Sequence, residues 1–261
     1  MQLAELLALQ TPTGQQALDQ AMKLSPDEST WLTCANKLSK HYSQDLTRAA
    51  LETALLRRRA RSKFRLADRM FFTREALEQA SSETVSRYRA RRFQGIDRIA
   101  DLCCGIGADT ISLAEQGRVL AVDLDPLRLR MANLNVIAHA LIERVVCVEA
   151  NVVTLDLAGI RGAFVDPDRR VNDRRVLSIH ACKPALPDVL ARLPRELPVG
   201  VKLAPGVPLD ELRSYPGELE FISLDGELKE CVLWLGPLRT VSRRATLLPG
   251  EHTLTGNGLM P

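Results

Sequence analysis

The stretch DLCCGIGAD at residues 101–109 decides the fold, because a short apolar run breaks there into two glycines. RIADLC (98–103) predicts a buried β-strand, and ADTISLAEQ (108–116) predicts the helix that follows it. Gly105 and Gly107 can adopt positive φ angles and allow a ligand to approach the backbone closely. A strand, a glycine turn and a helix in this order predict the first unit of a parallel sheet.

Strand-like and helical patterns keep alternating after this turn. Four further strands are predicted at RVLAVD (118–123), RVVCVEA (144–150), GAFVD (162–166) and VGVKLA (199–204). Asp125 and Pro126 predict the start of a long helix between the first two of these. ELEFISL (218–224) and KECVLWL (229–235) flank a turn at Asp225-Gly226, which predicts a hairpin. We expect an α/β fold with a Rossmann-like, mostly parallel sheet and an antiparallel terminal hairpin.

The first ninety or so residues lack strand-like alternation and predict an all-helical subdomain. Thr11-Pro12 and Ser25-Pro26 are both typical of helix starts, because a capping hydroxyl precedes a proline. From Gly236 onward the chain is rich in Gly, Pro and Thr and predicts a tail with little core. The expected domains are a helical subdomain at 1–94, a sheet domain at 95–238 and a tail at 239–261.

Composition excludes several classes of protein. The 261 residues are 46% apolar, which is ordinary for a globular protein. The sequence contains no run of about 18 uncharged apolar residues, which is the length that a membrane helix requires. Glu5 and the lack of a basic N-terminal region argue against a signal peptide. The six cysteines have no zinc-type spacing, so we expect free thiols, no metal and a cytoplasmic location.

The charge is unevenly distributed. The chain carries a net +3, but residues 48–98 hold fourteen Lys/Arg against six Asp/Glu, a local balance of +8. Such a block is typical either of a nucleic-acid contact or of a solvated helix face. It includes Arg57, Arg58, Arg59 and Arg61 in a single cluster.

Ligands of open parallel sheets bind beyond the carboxyl ends of the strands. Asp123 ends the second strand, 22 residues after Asp101, where an acid can accept the hydroxyl protons of a ribose. A dinucleotide fingerprint would place a third small residue where Thr110 stands, and a phosphate loop would need Gly-Lys-Ser/Thr. The turn and the acid therefore predict an adenosine-type ligand without specifying it.

The third and fourth strand ends narrow the choice. Asn151 follows the third strand, and Asp166-Pro167 ends the fourth. An acid followed by proline at that position is typical of methyltransferases. The series DLCCGIGAD, VLAVDLDP, EAN and VDPDRR, followed by the hairpin, makes residues 96–235 resemble a class I S-adenosylmethionine (SAM)-dependent methyltransferase.

More narrowly, the chain resembles trimethylguanosine-synthase-like RNA methyltransferases and bacterial relatives that carry a C-terminal THUMP-like domain. A segment like SKF (62–64) and one like QASSE (79–83) precede the catalytic fold in those proteins, and the second covers the methionine end of SAM. The tail at 239–261 would then be the start of a missing THUMP-like domain. The resemblance implies cofactor contacts at Gln79, Ala80, Ser81, Asp101, Cys103, Gly105, Gly107, Asp123, Leu124, Asn151 and Val152.

The same resemblance implies that Asp166 and Pro167 face the methyl acceptor. Methyltransferases of this type usually continue with a second proline and an aromatic residue, whereas Asp168 and Arg169 stand here. Arg169 and Arg170 are instead candidates to hold a phosphate or carboxylate, or to pair with neighbouring acids. Arg57, Arg58 and Arg61 are candidates for a phosphate track, and the cluster extends the same expectation to Arg59, Arg91 and Arg92.

The predicted function is transfer of a methyl group from SAM to a base nitrogen in RNA. Lys202 is a candidate for the acceptor pocket, and Cys182 lacks the context of a covalent pyrimidine mechanism. Two alternatives stay open at this point. One is methylation of a small anionic metabolite, and the other is an RNA-interaction module that binds SAM with little catalysis.

Overall fold

Strands in the order expected from the sequence form the centre of the molecule. The computed structural model describes residues 1–171 and 174–257, with side chains for all of these except residues 170, 171, 174 and 175. The strands are β1 (Arg98–Leu102), β2 (Arg118–Asp123), β3 (Val145–Glu149), β4 (Gly162–Val165), β5 (Arg170–Val171), β6 (Arg174–Arg175), β7 (Val199–Leu203), β8 (Glu218–Leu224), β9 (Glu227–Leu235), β10 (Arg243–Leu248) and β11 (His252–Gly256).

The helices are α1 (Leu3–Leu9), α2 (Pro12–Leu24), α3 (Trp31–Leu38), α4 (Gln44–Ala60), α5 (Arg74–Gln79), α6 (Glu83–Ala90), α7 (Ala108–Ala114), α8 (Pro126–Ala138) and α9 (Leu186–Leu190). Thr11 caps α2 and Asp125 caps α8 through side-chain oxygens, as the sequence predicts. The helix start predicted at Pro26 is wrong. Asp27 Oδ1 instead accepts the backbone N–H groups of Ser29 and Thr30, which closes a turn, and α3 begins after it.

In the described part of the chain, one sheet of nine strands has the order β3-β2-β1-β4-β7-β9-β8-β10-β11. The five strands from β3 to β7 are parallel, and β9 is antiparallel to both β7 and β8. The hairpin turn at Asp225 and Gly226 has φ angles of 53° and 81°, which the Asp-Gly pair favours. The predicted α/β fold class is confirmed.

The segment predicted to be a tail extends the sheet instead. β10 pairs in parallel with β8, and β11 pairs with β10, so the sheet continues well past residue 238. Thr246 is buried and donates a hydrogen bond to Glu220, and Arg244 contacts the buried Glu218 at 2.8 Å. Turn-forming residues on both sides of β10 conceal its alternation in the sequence.

The N-terminal helices share a hydrophobic core with one face of the sheet. The Phe93 ring lies 6.4 Å from that of Phe164 on β4 and 6.2 Å from that of Trp234 on β9. Gly200 on β7 makes room for this packing, since a Cβ there would lie 2.6 Å from the Trp234 ring. A second core, which includes Leu186, covers the opposite face. This packing fixes the α5–α6 segment beside the carboxyl ends of the strands.

Among the described helices, none combines the length and the apolar character needed to cross a bilayer.

Candidate functional site

A cavity of about 1320 Å³ opens at the carboxyl ends of β1, β2, β4 and β7. Its walls also include the α5–α6 segment and the β8–β9 hairpin. This is the location where open parallel sheets bind ligands. Single-ligand pockets usually measure about 300–1,000 Å³, so the cavity has room for two ligands side by side.

The glycine turn forms one wall. Cys103, Gly105 and Gly107 have φ angles of 66°, 56° and 82°, and Gly107 is the N-cap of α7. A Cβ on Gly105 would meet no atom within 4 Å, whereas one on Gly107 would lie 3.2 Å from Ala132. Gly105 therefore offers open backbone to a ligand, and Gly107 allows the turn to pack against α8. Cys103 and Gly105 line the cavity.

Asp123 joins this turn to the end of β2. Its Oδ2 accepts the Gly105 N–H at 2.8 Å, and its Oδ1 accepts the Asp125 N–H at 2.9 Å. Burial raises the pKa of this carboxyl above its usual value, although both backbone hydrogen bonds oppose that shift. The side chain lines the cavity, so the sequence correctly placed an acid beside the turn.

Asp101 lies beneath the turn and has no exposed surface. The Thr110 hydroxyl donates a hydrogen bond to its Oδ2, while Oδ1 has no partner in the structure. Burial raises the pKa of Asp101 to about 8. Thr110, which stands where a dinucleotide fingerprint would have a third small residue, thus forms a hydrogen bond to a buried acid. Asp101 supports the turn from below, away from the cavity lining, and so does Gly107.

Leu124, Asn151 and Val152 line the cavity beyond Asp123. Leu124 is 67% exposed and presents an apolar side chain that suits the face of a flat ring. Asn151 Oδ1 accepts the Val153 N–H at 3.0 Å, which leaves the amide nitrogen for another partner. The contact of these residues with an adenine, which the resemblance implies, stays a prediction.

Asp166 and Pro167 line the opposite end of the cavity with Lys202. Lys202 Nζ lies 2.6 Å from Asp166 Oδ2, and the lysine is only 4% exposed. Asp168, two residues after Asp166 in the sequence, pairs with Arg128 at 3.5 Å. Both members of the acid–lysine pair were predicted separately, but the contact between them was not.

Arg169 also lines the cavity, and its Nη1 atom is buried without a hydrogen-bond partner. A buried donor without an acceptor costs about 1–3 kcal/mol, so this nitrogen favours an anionic ligand. Two backbone hydrogen bonds between Asp168 and Lys183 bring Lys183 to the same wall. The side chain of Arg170, the other predicted anion-binding arginine, lies outside the described residues.

Gln79, Ala80 and Ser81 cover the cavity between its two ends. Lys63 Nζ donates to the carbonyl oxygens of Leu77, Glu78 and Ala80 at 2.8, 3.2 and 3.0 Å. The Glu83 N–H donates to the Lys63 carbonyl at 2.9 Å. Burial, and then the charge of Lys202, lower the pKa of Lys63. We call residues 77–81 the cap segment, which Lys63 of the SKF stretch holds in place.

A buried charge network that no sequence pattern indicates lies under this cap segment. Arg89 is 1% exposed and forms ion pairs with Asp109 and Glu230. Its Nη2 also donates to Ser81 Oγ at 2.8 Å. These partners come from α6, α7, β9 and the cap segment. Only the tertiary fold brings them together, and nothing in YRARRF (88–93) distinguishes Arg89 from Arg91 and Arg92.

The arginines at the centre of the predicted phosphate track have partners within the helical layer, and the track stays a prediction. Arg57 is 7% exposed, donates to the Met70 carbonyl at 2.8 Å and stacks over Phe71. Arg58 contacts the Ser25 carbonyl at 3.3 Å, and Arg61 forms a two-pronged pair with Asp68. These arginines hold the helical layer together, and none of them lines the cavity.

Three other arginines of that block also have partners. Arg91 pairs with Glu251, Arg92 pairs with the buried Glu218, and Arg59 reaches the cavity rim but pairs with Glu28. The charge count alone could not distinguish these inward or paired arginines from a free basic face.

All six cysteines are free, and no group of side chains in the described ranges has the arrangement of a metal site. Cys182 is 6% exposed, and burial raises the pKa of its thiol. Burial likewise raises the pKa of Cys103 well above its usual value. Neither thiol is therefore activated as a nucleophile.

Known proteins share parts of this sequence. Residues 2–60 match a family model described as a domain of unknown function, DUF8688. Two uncharacterized S-adenosylmethionine-dependent methyltransferases of Mycobacterium tuberculosis, from strains CDC 1551 and H37Rv, are each 37% identical over 212 residues. The match covers 76% of this chain and 57% of each relative. The chain therefore spans little more than half the length of these relatives.

The fold is shared more widely. A candidate methyltransferase of Porphyromonas gingivalis W83 superposes with a TM-score of 0.69 over 92% of this chain and 65% of its own length, at 20% identity. The chain has the fold of the class I SAM-dependent methyltransferases, with the reversed β9 between β7 and β8. Its sequence is similar to those of the two mycobacterial proteins, while the resemblance to proteins with a THUMP-like domain stays a prediction.

Proposed function

We propose that the protein is a SAM-dependent methyltransferase that acts on a base nitrogen of RNA. The observation that carries this proposal is the layout of the cavity. An open glycine turn and Asp123 stand at one end, and Asp166, held by Lys202, stands at the other. The 37% identity to the mycobacterial proteins named as methyltransferases supports the same reaction.

The residues at the first end fit SAM. Gly105 leaves open space beside its backbone, Asp123 lies where ribose hydroxyls would donate, and Leu124 offers an apolar surface for adenine. Gln79, Ala80 and Ser81 would cover the methionine end. When bound, SAM supplies a methyl group on a positively charged sulfur. We propose that Asp101 and Gly107 contribute by shaping the turn and that Val152 and Asn151 contact the adenine.

The chain's part in the reaction is to align an acceptor and to receive its proton. Lys202 engages Asp166 Oδ2, which leaves Oδ1 to accept an N–H of the acceptor nitrogen. That hydrogen bond orients the nitrogen lone pair toward the methyl group and removes the proton after transfer. Pro167 is buried behind Asp166 and restricts the backbone there. Alignment in such sites accounts for a large part of the rate.

Charge around the acceptor end supports a phosphate-bearing substrate. Arg169 has a buried donor without a partner in the described part of the chain, and Lys183 lines the same wall of the cavity. No aromatic residue follows Asp166-Pro167, so the Arg169 guanidinium is the group that would stack on a base or hold its phosphate. RNA offers both kinds of partner.

The test is incorporation of labelled methyl from SAM into total RNA from a strain that lacks this protein. We expect labelling of one RNA class by the wild type and none by Asp166→Ala. Retention on RNA at low salt, lost at high salt, would accompany it. Transfer to small phosphorylated metabolites but not to RNA would favour the metabolite alternative. Binding of SAM and RNA without any transfer would favour the non-catalytic module.

A further inference from the structure

We infer that Lys202 is the positioning residue of the acceptor site, holding Asp166 in place and tying it to the cap segment. The inference rests on the proposed methyl transfer. Val165 pairs with Val201 on the adjacent parallel strands β4 and β7. Asp166 and Lys202 are the next residues along these strands, so their side chains leave the sheet on the same side. The fold thus dictates their contact.

The Lys202 ammonium group makes two contacts that belong to different parts of the site. Nζ lies 2.6 Å from Asp166 Oδ2 and 3.4 Å from the carbonyl oxygen of Gln79 in the cap segment. The lysine side chain is 5% exposed and that of Asp166 is 25% exposed. The cation is therefore fixed inside the wall, while the carboxylate it holds still reaches the cavity.

The proposed reaction uses such an arrangement. The acceptor nitrogen forms its bond to the methyl carbon with its lone pair, and the electrons of the carbon–sulfur bond stay on the sulfur. The nitrogen's proton then passes to Asp166 Oδ1 and on to solvent, while Lys202 keeps its own protons. Lys202 holds Asp166 Oδ2 at 2.6 Å and so restricts rotation of the carboxylate away from the nitrogen.

Stability alone does not explain this pair. A buried ion pair adds little net stability, because the desolvation of its two charges offsets their attraction. Two other lysines of the cavity have different partners, since Lys63 donates to backbone carbonyls and Lys229 pairs with Glu227. Other charged or titratable groups also interact electrostatically with Asp166. In the described part of the chain these include Arg89 on α6, Asp101 on β1, Cys103 in the turn, Glu230 on β9, and Cys182 in the segment before α9.

The first test replaces Lys202 with methionine, which keeps the length of the side chain and removes the charge. We expect kcat for RNA methylation to fall about 100-fold, because misplacement of a reacting group has that effect. The Kd for SAM should change less than about fivefold. A purely structural lysine would instead lower the free energy of unfolding and leave kcat of the folded protein close to the wild-type value.

The second test is a double-mutant cycle with Asp166→Asn. If Lys202 acts through Asp166, the double variant should be no slower than Asp166→Asn alone, within about threefold. The double variant also removes both charges, so it should fold even if Lys202→Met alone does not. The matched control is Arg244→Met, which removes a cation from the buried Glu218 outside the cavity and should keep wild-type kcat.

Wild-type protein that methylates no RNA would overturn the proposed function. An active wild type whose Lys202→Met variant keeps kcat within threefold would overturn the role of Lys202 alone. Losses that multiply in the double variant would also overturn it, because they would show that the two residues act independently.

Discussion

The two ends of the cavity are built in different ways. At the cofactor end, backbone groups of the turn and Asp123 come from β1 and β2, neighbours in both sequence and space. At the proposed acceptor end, side chains converge from segments far apart in the sequence, such as Asp166 and Lys202. Hydrogen bonds to backbone N–H groups dominate the first end, and charged pairs dominate the second.

This difference predicts that binding of the cofactor and transfer of the methyl group depend on different residues. A turn fixed by positive φ angles and backbone hydrogen bonds offers nearly the same surface whichever acceptor the enzyme uses. The acceptor end depends on individual charges, and each charge there can be removed without disturbing the turn. We therefore expect variants at the two ends to affect different measured quantities.

The largest expected effect is at the acceptor end. Asp166→Ala should lower kcat by about 10²–10⁴-fold, the usual contribution of a general base, and change the SAM Kd by less than about threefold. Single-turnover methylation and calorimetry measure the two quantities. Asp188→Ala, an exposed acid at the start of α9, is the control. A variant that keeps more than a tenth of the wild-type rate would remove the proposed distinction between the two ends.

The next effect concerns the support of the cofactor end and its dependence on pH. The pKa of Asp101 is about 8 in the folded protein and near 3.8 when unfolded, so the folded state retains a proton that the unfolded state releases. The free energy of unfolding should therefore fall as pH rises from about 4 to 8, by at most about 1.4 kcal/mol per pH unit.

Asp101→Asn, which cannot ionise, should flatten this dependence. Urea unfolding at pH 5.5 and 8 measures it in both proteins. Parallel curves for wild type and variant would show that Asp101 is ionised in the folded state, contrary to this account.

The same contrast explains how much the sequence could predict. The strands, the glycine turn and Asp123 were predictable because alternation, glycine and proline are local signals. The meeting of Lys202 with Asp166 depends on β7 lying beside β4, and that of Arg89 with Glu230 depends on β9. A sequence pattern does not state those neighbours. The strand β10 is not predicted, because it is short and the Gly, Pro and Thr residues around it are typical of a tail without a core.

The arginine cluster shows a second limit, since the direction of a side chain is not visible in a charge count. Arg57 lies inward because an apolar helix face turns it toward Met70 and Phe71. Burial there lowers the pKa of Arg57 to about 10. Arg169, in the loop that follows β4, lines the cavity instead.

A smaller effect should distinguish these two arginines. Arg57→Met should lower the free energy of unfolding by about 2 kcal/mol, because it removes a charged hydrogen bond and a cation–π contact. It should leave RNA binding unchanged. Chemical denaturation and salt-dependent RNA retention measure the two properties.

Arg169→Met should give the reverse result, with the smallest change of the series. Stability should stay close to wild type, and the slope of log affinity against log salt should decrease by about one. If Arg57→Met reduced that slope instead, the helical layer would be an RNA surface and the predicted phosphate track would be supported.

The central claim is that the cavity binds SAM through the turn and Asp123, and calorimetric titration tests it most directly. Wild-type protein should bind one SAM per chain, and Asp123→Ala should weaken binding about 10–100-fold, the value of one or two hydrogen bonds to a charged group. Asp125→Ala, which removes the cap of α8 and an exposed pair with Arg128, should lower stability by about 1 kcal/mol and keep the affinity. Absence of SAM binding by the folded wild type, or equal affinity of Asp123→Ala, would contradict the account.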